Sequence, residues 1–156
     1  MRKTPRLPLG LCLLLLLCAS AASVQAQASA HRQADSLYKR LGGYDALAAV
    51  TDDFLGRLIK DEKLGKFFSG VSLDSQKRIR QLVVDQLCAA TGGPCIYIGR
   101  SMRTVHEGLG ITEADWEIAV KHLIATLDKF KVGKTEKDDL VKALAGLKKD
   151  IVDKQQ

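Results

Sequence analysis

The residue best placed to do chemistry is a histidine, His106, within Met102-Arg103-Thr104-Val105-His106-Glu107-Gly108-Leu109-Gly110-Ile111. Met102, Val105 and Leu109 flank it at helical spacing, and glycines able to end a helix follow at once. An imidazole at a helix end among apolar side chains is a good place for a metal ligand. A half-exposed helix-end histidine is the plainer reading, and the local pattern alone leaves both open. Of the other two histidines, His31 lies in a small, polar stretch, and His122 shares a helical pattern with Trp116 and Val120. No C-x-x-C motif is present, which argues against a zinc or thioredoxin-like site. No G-x-G-x-x-G follows a strand pattern, so nothing points to a bound flavin or nicotinamide.

The chain around these residues begins with a leader-like pattern. Arg2, Lys3 and Arg6 precede an apolar run from Leu7 to Leu17, and Val24-Gln25-Ala26 fits a small-residue cleavage site. Residues 1–26 are expected to act as an export signal, placing the protein in the periplasm. A spanning helix needs about 20 apolar residues, so no membrane-spanning segment is expected in the mature chain. Retention as an anchor, or a lipid on Cys18, is the weaker alternative. Loss of Arg2, Lys3 and Arg6 leaves 21 basic against 18 acidic residues, a net charge of +3 rather than +6. Charges this balanced and interleaved do not argue for nucleic acid, and no such partner is expected. Two cysteines remain, Cys88 and Cys95, with six residues between them that include Thr91-Gly92-Gly93-Pro94. Export permits a disulfide; a buried helical Cys88 with a separate loop Cys95 fits the spacing equally.

Residues 27–35 read as a flexible lead-in. An amphipathic segment from Ser36 to Arg40 stops at Gly42-Gly43, and apolar positions 47, 50, 54, 55, 58 and 59 predict a helix from Tyr44 to Lys60. Asp61-Glu62-Lys63 breaks it. Phe67 and Phe68 sit in a short connection, where two adjacent rings should bury against something large and flat. Asp74 is expected to cap a helix carrying Ile79, Leu82, Val83 and Leu87, which Gly92-Gly93-Pro94 ends. Ile96, Tyr97 and Ile98 are expected to pack within an irregular stretch. A short helix around His106 follows. Thr112 and Asp115 form a capping-box pattern before a helix with Trp116, Ile118, Val120, Leu123, Ile124 and Leu127 on its apolar face. Thr135 is expected to cap one last helix bearing Leu140, Val141, Leu144, Leu147 and Ile151. Strand alternation is absent. The pattern is one all-α domain of about five main helices.

The motifs in order resemble a known family. Leu37-Tyr38-Lys39-Arg40-Leu41-Gly42-Gly43-Tyr44-Asp45-Ala46-Leu47, then Asp53-Phe54, then Leu64-Gly65-Lys66-Phe67-Phe68-Ser69-Gly70 come first. Gly92-Gly93-Pro94, Tyr97-Ile98-Gly99-Arg100-Ser101-Met102 and His106-Glu107-Gly108-Leu109-Gly110-Ile111 complete the set. Together they are similar to the truncated haemoglobins, closest to those called group I, over residues 36–152. The resemblance implies a two-over-two helical sandwich around one haem b per chain, with His106 as the iron's protein ligand. It also implies that Met102, Val105, Leu109, Ile111, Trp116 and Val120 line the haem pocket. By the same resemblance Phe68 presses on the haem face, and Phe54 precedes the family's usual distal tyrosine.

This sequence departs from the family at that tyrosine, because Leu55 stands there. A hydroxyl bond to partly negative dioxygen is worth roughly 1–3 kcal/mol, so its loss should speed oxygen release about ten- to hundredfold. The other distal positions depend on register, since the stretch from Phe68 to Gly92 is about three residues longer than the common pattern. Counting from Phe68 places Gln76 and Arg80 over the iron; counting back from Gly92 places Ile79 and Val83 there. Extra residues fit a loop at Val71 to Asp74 better than a helix, which favours Ile79 and Val83. Gln81 and Gln86 are then the nearest polar groups, unless both lie on the surface. His122 reads as packed or half-exposed rather than as a second axial ligand. The implied activity is binding of oxygen, nitric oxide or carbon monoxide. Nitric oxide dioxygenation or a peroxidase-like reaction is the enzymatic alternative, and either would need a separate reductase. A helical interaction module without cofactor is the remaining alternative.

Overall fold

A computed structural model describes residues 36–153. The expected export signal at residues 1–26, the lead-in and His31 lie outside the described residues. Within them the chain is helical, without strands: α1 (Leu37–Arg40), α2 (Gly43–Lys60), a 3-10 turn (Gly65–Phe68), α3 (Leu73–Ala90), α4 (Met102–His106), α5 (Glu113–Lys129), α6 (Lys134–Ala145) and α7 (Lys148–Ile151). Helix α2 packs on α3 to make one layer, and α5 on α6 to make the other. The contact of α2 with α5 joins them into the two-over-two sandwich. No described helix is long and apolar enough to cross a membrane.

The core lies where the apolar stripes of the layers meet. Tyr38, Leu47, Val50, Leu87, Cys88, Leu123, Leu127 and Leu140 are buried together. Each fully buried aliphatic side chain contributes about 1.5–3 kcal/mol of burial free energy. Three buried threonines interrupt this set without cost in unpaired groups. Thr51 and Thr91 donate to the carbonyls of Leu47 and Leu87, four residues back, at 2.8 and 2.7 Å. Thr126 donates to Asp53 across the layers at 2.9 Å. That carboxylate also holds Arg57, at 2.6 Å, and Lys129, and the Arg57 guanidinium beside it holds its carboxyl far below the usual range.

Several expected boundaries shift for local reasons. Ser72 caps α3 by accepting from the Ser75 amide at 3.2 Å, so Asp74 lies in the first turn instead of at the cap. Gly133 rather than Thr135 precedes α6, whose first two turns are tied to α1 by Arg40 bonding Glu136 at 2.9 Å and Asp139 at 2.6 Å. The expected last helix is two helices, α6 and α7. Gly146 ends the first of them, since glycine costs about 1 kcal/mol in a helix interior. Thr112 and Asp115 form the reciprocal capping box expected of them. Phe67 and Phe68 occupy the 3-10 turn and stay half-buried.

Cys88 and Cys95 are joined in a disulfide, with Cα atoms 5.7 Å apart. The turn between them needs both of its glycines. Gly92 has φ +81°, and a Cβ on Gly93 would come within 2.6 Å of the Cys88 sulfur and the Tyr38 ring. Closing so short a loop contributes about 2–3 kcal/mol by the chain-entropy account. Beyond it, Ile96 and Ile98 do not pack; they are 80% and 83% exposed. Tyr97 alone turns inward, half-buried, and donates to the Arg100 carbonyl at 2.8 Å.

Candidate functional site

His106 is the last residue of α4, a five-residue helix begun by Ser101, whose hydroxyl accepts from the Thr104 amide at 3.2 Å. Its Nδ1 lies 2.7 Å from the carbonyl oxygen of Met102, one turn back. A carbonyl only accepts, so the proton sits on Nδ1 and a neutral ring keeps the Nε2 lone pair for another partner. That is the tautomer a metal ligand requires, with the ring already oriented by an outer hydrogen bond. The imidazole is half-buried.

The apolar residues expected around it are spread over α2, the 3-10 turn, α3, α4 with the turn after it, and α5. Phe54 and Leu55 lie on α2, Phe68 on the 3-10 turn, Ile79 and Val83 on α3. Met102 and Val105 lie on α4, Leu109 and Ile111 in the turn after it, Trp116 and Val120 on α5. None is fully buried. Nine are half-buried, and Val105 and Leu109 are 39% and 45% exposed. Large apolar side chains left with accessible surface and bearing no charge of their own suit a broad apolar ligand. Phe54 and Val83 also touch the core cluster, which fixes their backs. Helix α4 packs chiefly on α7, whereas α2, α3, α5 and the 3-10 turn form one packed group around α2.

The polar residues near the distal positions are occupied elsewhere. Arg80 makes a two-pronged ion pair with Asp52 of α2, at 2.7 and 2.9 Å, which lowers the Asp52 pKa. Gln76 donates back to the Val71 carbonyl at 3.1 Å. Gln81 is exposed and donates to the Tyr44 hydroxyl and to Asp85, at 2.8 and 3.0 Å. Gln86 is half-buried, on the same helical stripe as Ile79 and Val83. Because α3 starts at Leu73, Leu73 and Asp74 belong to its first turn instead of the preceding loop.

His122 bonds Asp61 at 2.8 Å, tying α5 to the end of α2. Asp61 also accepts from the Lys63 and Leu64 amides, and these donors, His122 foremost, hold its pKa down at about 2. His122 is therefore a packing histidine with a partner, not an axial ligand. Two contacts that sequence reasoning missed reach the segment of His106 from the last described residues. Arg103 pairs with Asp150 at 2.6 Å, and the Gly110 amide donates to Asp153 at 2.6 Å. No local signal marks either acid, since each is one charge in a strongly charged tail.

A two-over-two helical sandwich with one oriented imidazole and an apolar lining defines a helical haem-protein class. The family model for bacterial-like globins matches residues 36–153. The group 1 truncated haemoglobin of Mycolicibacterium paratuberculosis is 34% identical over 116 residues, covering 74% of this chain and 83% of that one. The solved Fe(III) form of the truncated haemoglobin of Tetrahymena pyriformis superposes with a TM-score of 0.71 at 27% identity, covering 77% of this chain and all of that one. A Synechococcus 2/2 haemoglobin, solved in the cyanomet state with covalently attached haem, gives 0.69 at 27% identity, covering 76% and 99%. The chain belongs to the bacterial-like globin family, as a truncated globin. Its cofactor is a haem iron, and its activity is haem-based binding of a diatomic gas.

Proposed function

We propose that His106 Nε2 is the protein's bond to the haem iron, and that oxygen, nitric oxide or carbon monoxide enters opposite it, beside Leu55, Ile79 and Val83. The observation that carries this reading is the 2.7 Å bond from Nδ1 to the Met102 carbonyl, which leaves Nε2 free in the neutral ring. A haem iron held by one neutral imidazole supplies an open sixth position for a diatomic ligand. The chain's own part is to orient the imidazole, cover the haem with Phe54, Phe68, Met102, Ile111, Trp116 and Val120, and exclude water. Relatives named as group 1 support placing the chain in that group.

Leu55, Ile79 and Val83 make the distal side mainly apolar, with Gln86 a polar side chain on the same stripe of α3. Leu55 offers no donor, and the Arg80 and Gln76 side chains are engaged with Asp52 and Val71. Such a pocket suits fast, reversible gas binding better than dioxygenation of nitric oxide, which needs dioxygen held firmly and a separate reductase. The absorption spectrum of the ferrous protein tests the reading. A Soret band that sharpens and shifts with carbon monoxide is expected; no Soret band after haem addition would overturn it.

Export to the periplasm is part of the same proposal. The leader-like pattern of residues 1–26 supports it, and so does the Cys88–Cys95 disulfide, since such bonds persist in oxidising compartments. Protein recovered from a periplasmic extract should begin after Ala26 or Ala28 and carry no free thiol. Recovery of the uncut, thiol-bearing chain from the cytoplasm would remove this part.

A further inference from the structure

The helix that bears His106 cannot hold itself in place. Isolated helices shorter than about 12–15 residues are marginal in water, and α4 has five residues, none of them buried. Gly108 and Gly110 follow with φ of +78° and +69°, in the most permissive backbone a chain has. The helix packs chiefly on α7.

We propose that Asp153 is a positioning residue for the proximal imidazole, latching the turn after His106 to the end of the chain; this rests on His106 being the iron ligand. The latch is reciprocal. The Asp153 carboxylate accepts from the Gly110 amide at 2.6 Å, and the Asp153 amide donates to the Ile111 carbonyl at 2.9 Å. Two successive residues of the turn are thereby pinned, one by a charge-assisted bond. The Leu109 amide donates to the His106 carbonyl at 3.2 Å, so the pinned turn connects directly to the histidine. The nearby Arg103–Asp150 pair joins side chains that are 61% and 28% exposed, and such a surface pair adds little. The main-chain latch is what fixes the site.

The test compares Asp153→Ala, Asp153→Asn and Arg103→Ala with the wild-type holoprotein. Asp153→Ala should release haem about tenfold faster, consistent with loss of one charge-assisted bond. It should also shift and broaden the iron–histidine stretching band in the resonance Raman spectrum and speed amide exchange at Gly110. Arg103→Ala should leave all three readouts near wild type. If Asp153→Ala does not fold, Asp153→Asn decides: it keeps a weaker neutral acceptor, and about two- to threefold faster haem release is expected. Wild-type values in the aspartate variants overturn the latch, as does an Arg103→Ala effect equal to that of Asp153→Ala. His106→Ala, run in parallel, separates the two readings. If that variant keeps its haem, the proximal assignment itself has failed; if it loses the haem while the Asp153 variants behave as wild type, only the latch has failed.

Discussion

Replacing His106 by alanine should strip the protein of stable haem. The described residues include one other histidine, His122, and it is committed to Asp61 at 2.8 Å. Among them no group of three or more histidine, cysteine or acidic residues is arranged to hold a metal, and both described cysteines are in a disulfide. No substitute imidazole or thiolate therefore stands ready among the described residues. Loss of an outer hydrogen bond to a ligand costs about 10–100-fold in metal affinity, so loss of the ligand itself should exceed about 100-fold. Haem transfer to an apoprotein acceptor measures it. Millimolar imidazole should restore the five-coordinate ferrous spectrum, because the apolar walls remain. A variant that retains haem without added imidazole would refute the assignment.

Leu55→Tyr should have the second largest effect, in the opposite sense. The position is half-buried on α2, one residue after Phe54, whose side chain packs on the core. A phenol there would present a hydroxyl donor to dioxygen from the position that Leu55 leaves apolar. One such bond is worth roughly 1–3 kcal/mol, which slows oxygen dissociation about ten- to hundredfold. Carbon monoxide carries less negative charge and should be released at nearly the wild-type rate. Stopped-flow displacement of each gas gives both numbers. If oxygen leaves Leu55→Tyr as fast as it leaves the parent, Leu55 does not face the gas, and the distal side lies elsewhere on α2 or α3. Slow oxygen release in the unmodified protein would carry the same message, because it would mean that a donor other than residue 55 reaches the pocket.

Leu55 also shows where the family pattern and the chain part company. Most of what surrounds it is ordinary: the same helix, the same preceding phenylalanine, the same paired glycines before it. Substituting one aliphatic for one phenolic side chain leaves the packing of α2 on α3 and α5 intact while changing what a ligand meets. The Arg80–Asp52 pair matters here, because it holds the Arg80 guanidinium against α2.

Much of this was legible in order along the chain. Period 3.6 marked α2, α3 and α5, where apolar residues three and four apart must face inward. Thr112 and Asp115 announced a helix start because a capping box is closed within four residues. His106 stood out from its apolar neighbours and following glycines, and family motifs gave it a role. These signals share one property: the interaction that produces them spans about one or two helical turns.

What only the tertiary structure decided spans more. Whether Cys88 and Cys95 pair depended on how Gly92 and Gly93 turn against Tyr38, 55 residues upstream of Gly93. That Arg80 turns to Asp52, His122 to Asp61 and Asp153 to Gly110 follows from contacts 28, 61 and 43 residues apart. A carboxylate in a charged tail looks the same in sequence whether it meets water or a backbone amide. The difference arises only when the chain has closed and brought the amide to it. The sequence by itself thus determined the main helices, the fold class and the histidine; the packed chain decided which distant charges and amides meet, because those contacts exist only once the helices have closed on one another.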